Sequence, residues 1–174
     1  MNLNEADRIA AGIVERLAPW CEPGYCEVGG SIRRRRPECG DIEIVCIPRR
    51  ETMRDLFGTA TGAVTHPGFC AAVDDLGVYL RGQAAGKYAC RIMDDGTQVD
   101  IFMARRDNWG LILAIRTGGS DYSRRLMIEL RARGLVSRDG MIRELATGRE
   151  LPAPDERTVF AMAGMPCRPP EARE

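Results

Sequence analysis

Three carboxylates carry the strongest chemical signal in the sequence. Asp41 and Glu43 stand two apart in Gly40-Asp41-Ile42-Glu43-Ile44. Side chains alternate faces along a strand, so the two acids share one face while Ile42 and Ile44 take the other. Like charges side by side repel, and a divalent cation held by hard oxygen ligands is a natural compensation; a solvated acidic strand edge is the competing explanation. Asp100, in Val99-Asp100-Ile101-Phe102, lies in a second strand-forming stretch that could pair beside the first and bring the acids together. Upstream, Gly29-Gly30-Ser31 offers bare backbone N–H groups and a hydroxyl, a pattern that seats phosphate. Arg33, Arg34, Arg35 and Arg36 follow at once, and guanidinium groups make charge-assisted bonds to phosphate oxygens. Either half alone is common: the glycines as a turn, the arginines as a solvated loop. Gly30 and Asp41 stand only eleven positions apart, and that combination is specific.

The elements that must position these groups are legible from periodicity. Ile9, Ile13 and Leu17 recur every four residues, which predicts an amphipathic helix over 4–18, with Asn4 as cap and Pro19 as stop. Strands are expected over 25–28 and 42–47, and over 87–93 and 97–103, the last two flanking the Asp94-Asp95-Gly96 turn of a hairpin. Short helices are expected over 52–57 and 69–76. Beyond Arg106 the texture turns helical. Helices are predicted over 108–117 and over 120–133, the second capped by Ser120 and ended by Gly134. A small hairpin sheet over 135–151 and a helix over 156–163 capped by Asp155 complete the chain. The sum is an α+β chain with a lobe boundary near Arg106.

Composition bounds the function. A chain of 174 residues is one domain or two small lobes sharing a core. Its longest apolar run, Leu111 to Ile115, is far short of the ~20 residues a bilayer span needs. The polar, acidic start lacks the pattern of a signal peptide, so no membrane partner and a cytoplasmic location are expected. The seven cysteines include no C-x-x-C pair, which argues for reduced packing thiols against a disulfide framework or zinc. The net charge is zero, yet Lys87 is the one lysine among 25 cations; the rest are arginines, suited to bidentate phosphate contact, so a nucleic-acid partner stays open. The single histidine, His66, beside Pro67-Gly68, is expected to be a loop residue without a chemical role.

The spacing Gly-Ser-x-Arg-Arg, five residues, then Gly-Asp-x-Glu, from Gly30 to Glu43, resembles the signature of the nucleotidyltransferase superfamily, and in detail that of the family X DNA polymerases, the polymerase β-like group. Arg116-Thr117-Gly118-Gly119-Ser120, Arg125-Leu126, Arg133-Gly134-Leu135 and the ending Phe160 to Glu174 are similar to the same family's thumb. The resemblance covers nearly the whole chain. It implies a nucleotidyltransferase palm, a mixed sheet with helices, over 1–106, and a small α/β thumb over 107–174. It implies catalysis by Asp41, Glu43 and Asp100 with Mg²⁺, or Mn²⁺, as cofactor: Asp41 and Glu43 as ligands of both metals of a two-metal site, Asp100 of one. By the same resemblance Gly30, Ser31, Arg34, Gly40, Thr117, Gly118 and Ser123 bind the nucleotide, and Arg124, Arg125, Arg131 and Arg133 bind DNA. The implied activity is transfer of deoxynucleotides from dNTPs to a primer 3′-hydroxyl in short-gap repair, on primer-template or gapped DNA, by a monomer.

Four departures from the family pattern stand out. Glu43 replaces the usual Asp, Ile115-Arg116 replaces an aromatic pair, and either Gly118 or Gly119 can hold the family's glycine. The lyase domain and the helical fingers are expected to be absent. The rival readings are a nucleotidyltransferase acting on RNA, protein or a small molecule, and a non-catalytic DNA-binding accessory protein.

Overall fold

The computed structural model describes residues 1–174. Helix α1 runs Leu3–Leu17. Asn2, two residues ahead of the expected cap, receives the Glu5 N–H on its Oδ1 at 3.0 Å and so satisfies one orphan donor of the first turn. Ala6, Ala10, Ile13 and Leu17 form its buried stripe. A 3-10 turn holding Pro19, Ala18–Trp20, ends it. In chain order there follow β1 (Cys21–Val28), α2 (Gly30–Arg33), β2 (Ile42–Pro48), β3 (Arg50–Arg54), β4 (Ala60–Thr65), α3 (Pro67–Asp74), β5 (Val78–Gly82), β6 (Tyr88–Ile92) and β7 (Gln98–Met103). The remaining elements are α4 (Trp109–Thr117), α5 (Ser120–Ala132), β8 (Leu135–Arg138), β9 (Met141–Glu144), β10 (Glu150–Leu151) and α6 (Glu156–Met162). The architecture is α+β. It falls into two compact units, one of Asp7–Val28 with Asp41–Met103, the other of Met1–Ala6, Gly29–Gly40 and Ala104–Glu174.

The first unit is built on a five-stranded sheet in the order β1-β2-β7-β6-β5. β2 and β7 are parallel, with Glu43 opposite Asp100, while β1 with β2, β7 with β6 and β6 with β5 are antiparallel. Ile42, Ile44, Val45 and Ile101 are completely buried, as the central strands of a sheet covered on both faces require. α3 buries Phe69 and Val73. His66 caps that helix, its Nδ1 receiving the Gly68 N–H at 3.0 Å, and it stacks on Trp20 at 5.1 Å; its role is structural.

Residues 52–57 depart from expectation. They form no helix but belong to an antiparallel ribbon, β3 paired with β4. The Asp55 Oδ1 accepts the N–H groups of Phe57 and Thr59, each at 2.9 Å, and Gly58 takes the left-handed backbone at φ 80°, which only glycine adopts without cost. Six residues are too few to nucleate a helix unaided, so turn chemistry decides the segment. β5 lies where no element was expected, and β1 starts earlier than expected, running through an irregularity between Cys21 and Cys26.

In the second unit, α4, α5 and α6 pack with a three-stranded sheet, β10-β9-β8. Leu111, Tyr122, Leu126, Leu130, Ile142 and Phe160 form the centre of its core. A Cβ on Gly110 would lie 2.1 Å from the Asp155 backbone, so glycine is what lets α4 approach the start of α6. Asp155 caps α6, accepting the Thr158 N–H at 2.7 Å. The cap position of α5 is Gly119, with no side-chain bond, in place of the expected Ser120. Gly134, at φ 74°, follows the end of that helix. All seven cysteines are free thiols, and no helix is long and apolar enough to cross a membrane.

Candidate active site

The register of β2 with β7 decides where the acids point. Partners in a parallel ladder share a face, so Glu43 and Asp100 project on the same side, while Asp41 stands just ahead of β2 and its carboxyl feels the charge of Asp100. Burial raises the Asp41 carboxyl above the ordinary Asp value, and the charge of Asp100 raises it further. The two carboxylates therefore sense each other without a compensating cation, as like charges in a shared site do. Asp100 is 6% exposed and is held on both oxygens. The Tyr88 hydroxyl donates to Oδ1, and the Gln98 Nε2 donates to Oδ2 at 2.7 Å. Arg81 Nε in turn donates to the Tyr88 hydroxyl at 2.9 Å, and the Tyr88 ring stacks on Phe102 at 5.1 Å. Burial and the bond to Asp100 push the Tyr88 phenol well above its ordinary value, so Tyr88 stays a neutral donor.

The donors fit a divalent cation by type: Glu43 and Asp100 are hard oxygen groups on one face of two adjacent strands, and Asp41 stands just ahead of the first. As arranged, no group of three or more His, Cys, Asp or Glu side chains converges to hold a metal ion. An ionised carboxylate oxygen has lone pairs left after accepting one hydrogen bond, so the bonds to Tyr88 and Gln98 fix Asp100 without exhausting it.

The glycine-serine loop belongs to the other unit. Gly30 is buried and opens α2 at φ 60°, so the chain turns there in a conformation a side chain would strain. The Ser31 hydroxyl is buried without a hydrogen-bond partner, an orphan of the kind that calls for a ligand or water. Arg34 donates from Nη1 to the Thr117 carbonyl at 2.8 Å and from Nε to Glu174 Oε1 at 3.1 Å; Arg36 approaches the same oxygen at 3.5 Å. Gly40 is exposed, with open space where a Cβ would stand. The Arg34 guanidinium thus already holds a carboxylate, the kind of charge-assisted bond an anion would make.

Residues 112–174 match the family described as DNA polymerase beta thumb. In an alignment of 169 residues that covers 87% of this chain, it is 25% identical to DNA polymerase lambda from Rattus norvegicus. It spans 29% of that relative. The chain is thus similar to the family X DNA polymerases.

Within the residues that match the thumb family, several expected nucleotide and DNA residues have partners of their own. Thr117 is completely buried, and its hydroxyl accepts Arg33 Nη1 at 2.6 Å. The Ser123 hydroxyl donates back to the Ile115 carbonyl at 2.9 Å and lies beside Gly118, where a Cβ would come within 2.6 Å of it. A side chain at Gly118 would thus have to displace the Ser123 hydroxyl. Arg124 pairs with Asp121 at 3.6 Å and Arg133 with Glu129 at 2.9 Å, whereas Arg125 and Arg131 are exposed on α5.

The sequence reading passed over a cluster that organises this unit. Arg33 forks onto Glu156 with bonds of 2.9 and 3.0 Å, and Arg173, 2% exposed at its side chain, closes on the same carboxylate. Burial pushes the Glu156 carboxyl up, but the two guanidinium groups reverse this and leave it below its ordinary value. Nothing in Glu156-Arg157-Thr158 marks it apart from a helix start. Tyr88 and Gln98 were missed too; Gln98 could have been found, since it stands two before Asp100 and shares its face.

Proposed function

We propose that the chain is a metal-dependent nucleotidyltransferase that adds deoxynucleotides from dNTPs to a DNA primer 3′-hydroxyl, with a palm over 1–106, a thumb over 107–174, and short gaps as its substrate. The observation that supports it best is the register setting Glu43 opposite Asp100, with Asp41 near enough to feel the Asp100 charge. On this reading Asp41, Glu43 and Asp100 would hold Mg²⁺ or Mn²⁺, with Asp100 confined to the ion at the primer hydroxyl. When bound, such ions acidify that hydroxyl and neutralise the departing pyrophosphate. The protein's own part is positional. Tyr88 and Gln98 fix the Asp100 carboxylate, while Ser31 and Arg34 take the triphosphate. The exposed arginines of α5 supply charge to the phosphate backbone.

Primer extension on gapped, nicked and single-stranded DNA, with each dNTP and NTP and with Mg²⁺ or Mn²⁺, tests it. Incorporation of dNTPs that requires the metal and is strongest on gapped duplex is expected. Transfer to RNA or a small molecule in its place overturns the DNA reading, and no transfer to any acceptor overturns catalysis.

A further inference from the structure

We propose that the β3–β4 ribbon is a DNA-probing element whose Leu56-Phe57 tip inserts at the unsupported base step of an interrupted duplex; the inference rests on the reading of DNA as substrate given above. Every residue from Arg49 to Val64 is exposed, so neither face of the ribbon is spent on the core of its unit. Its base is nevertheless anchored. Arg49 Nε donates to the Cys21 carbonyl and the His66 N–H to the Arg49 carbonyl, both at 2.9 Å. The tip is preorganised by the Asp55 carboxylate, which holds the N–H groups of Phe57 and Thr59. That turn presents Leu56 at 101% and Phe57 at 92% exposure, adjacent large apolar side chains that nothing in the chain covers.

The flanking chemistry selects the partner. Arg54 donates to the Gly58 carbonyl at 2.8 Å and Arg50 to the Ala63 carbonyl, so these bonds leave both positive charges uncancelled. β4 reads Ala60-Thr61-Gly62-Ala63 along most of its length, small residues that keep the ribbon thin. A five-residue strand reaches about 17 Å, longer than the depth of the major groove, which admits a two-stranded ribbon. Two apolar side chains fall far short of the ~800 Å² per partner of a standard protein interface. They also lack the long apolar face of an interfacial membrane helix. A nucleic acid offers what the ribbon lacks, an anionic rail for Arg50 and Arg54 beside an apolar stack. Leucine and phenylalanine serve as wedges between base steps at an unstacking cost, and a gap lowers that cost because one neighbour of the step is already missing.

A gapped duplex carrying 2-aminopurine at the template base beside the gap, mixed with the full chain, provides the test. The wild type should bind the gapped duplex more tightly than an intact one and raise the 2-aminopurine emission as the base unstacks. L56S/F57S, altered only at exposed positions and checked by circular dichroism, should bind the gapped duplex at least tenfold more weakly and lose the emission rise. R50Q/R54Q should flatten the dependence of log K on log salt by about 0.9 per charge. A wild type that incorporates dNTPs while L56S/F57S matches it in affinity and emission overturns this inference alone. A wild type that neither binds nor extends DNA overturns both this and the proposed function. If light scattering shows dimers, or vesicles of phosphatidylserine and phosphatidylcholine bind the chain, and only these associations need the tip, the partner is protein or lipid and the inference is wrong.

Discussion

Removing the charge of Asp100 while keeping its shape separates the roles of the three acids. If Asp100 serves the primer hydroxyl only, Asp100→Asn should slow single-turnover extension by several orders of magnitude and leave Mg²⁺-supported dNTP affinity nearly unchanged in calorimetry. Asp41→Asn should damage both, because it removes a ligand common to the two ions; near-normal extension by Asp100→Asn would reduce Asp100 to a structural acid. Glu156 calls for a different measurement. Glu156→Gln leaves the nearly buried Arg173 and the half-buried Arg33 without their counter-charge, and breaking a buried pair on one side costs about 3–5 kcal/mol. Urea unfolding should show that loss at pH 7. Because the Glu156 carboxyl is held below its ordinary value, this stability is fully present above the unfolded Glu value of about 4.3 and disappears as pH falls through the folded one. A variant equal to wild type at pH 7 would show that the cluster contributes nothing. Spacing assigns Glu43 the face opposite Ile42 and Ile44, but setting it beside Asp100 takes the parallel register of β2 with β7, which the fold alone supplies. The Arg33–Glu156–Arg173 cluster could not be read in the sequence, since it joins positions 33, 156 and 173, whose nearness only the fold creates.

Helix α5 is the element whose charge carries an expectation about DNA. Its exposed arginines are unequal: Arg124 and Arg133 already face Asp121 and Glu129, while Arg125 and Arg131 lie open. Replacing Arg125 and Arg131 by alanine should flatten the salt dependence of duplex binding by about 0.9 per charge, and replacing Arg124 and Arg133 should flatten it less. Equal effects from both pairs would mean that the intrahelical ion pairs open on DNA, and no effect from either would make the arginines solvating groups. This helix was legible because Tyr122, Leu126 and Leu130 repeat every four residues over thirteen residues. The ribbon was not, because its strands show no alternation of burial and Thr52-Met53-Arg54 suits either state. Asp55 and Gly58 decide it through bonds that a propensity reading does not weigh.

At the scale of the molecule, the compact units are made of segments that are not contiguous in sequence. The glycine-serine loop Gly29–Gly40 packs with Ala104–Glu174, although it sits between the first two strands of the other unit's sheet. Composition changes along a chain reveal a cut, not an exchange of segments. Acid stability adds a second expectation. Burial and Asp100 hold the Asp41 carboxyl above its ordinary value, so its ionisation costs stability as pH rises from about 3.9 through the raised value, and the full penalty persists above it. Without divalent cation, Asp41→Asn should therefore raise the Tm at pH 7, and the gain should vanish below pH ~3.9; an unchanged Tm at pH 7 would mean the acids do not repel. Arg34 holds the Glu174 carboxylate at 3.1 Å, while the Gly119 N–H donates to the Arg173 carbonyl at 2.7 Å. On the proposed reading a triphosphate and Glu174 are competitors for one guanidinium. Nucleotide should then loosen this segment, and amide hydrogen exchange over 171–174 should quicken when dNTP and Mg²⁺ are added. Glu174→Gln, a weaker competitor, should bind dNTP more tightly and exchange quickly from the outset, which makes the tail an internal gauge of how full the nucleotide seat is.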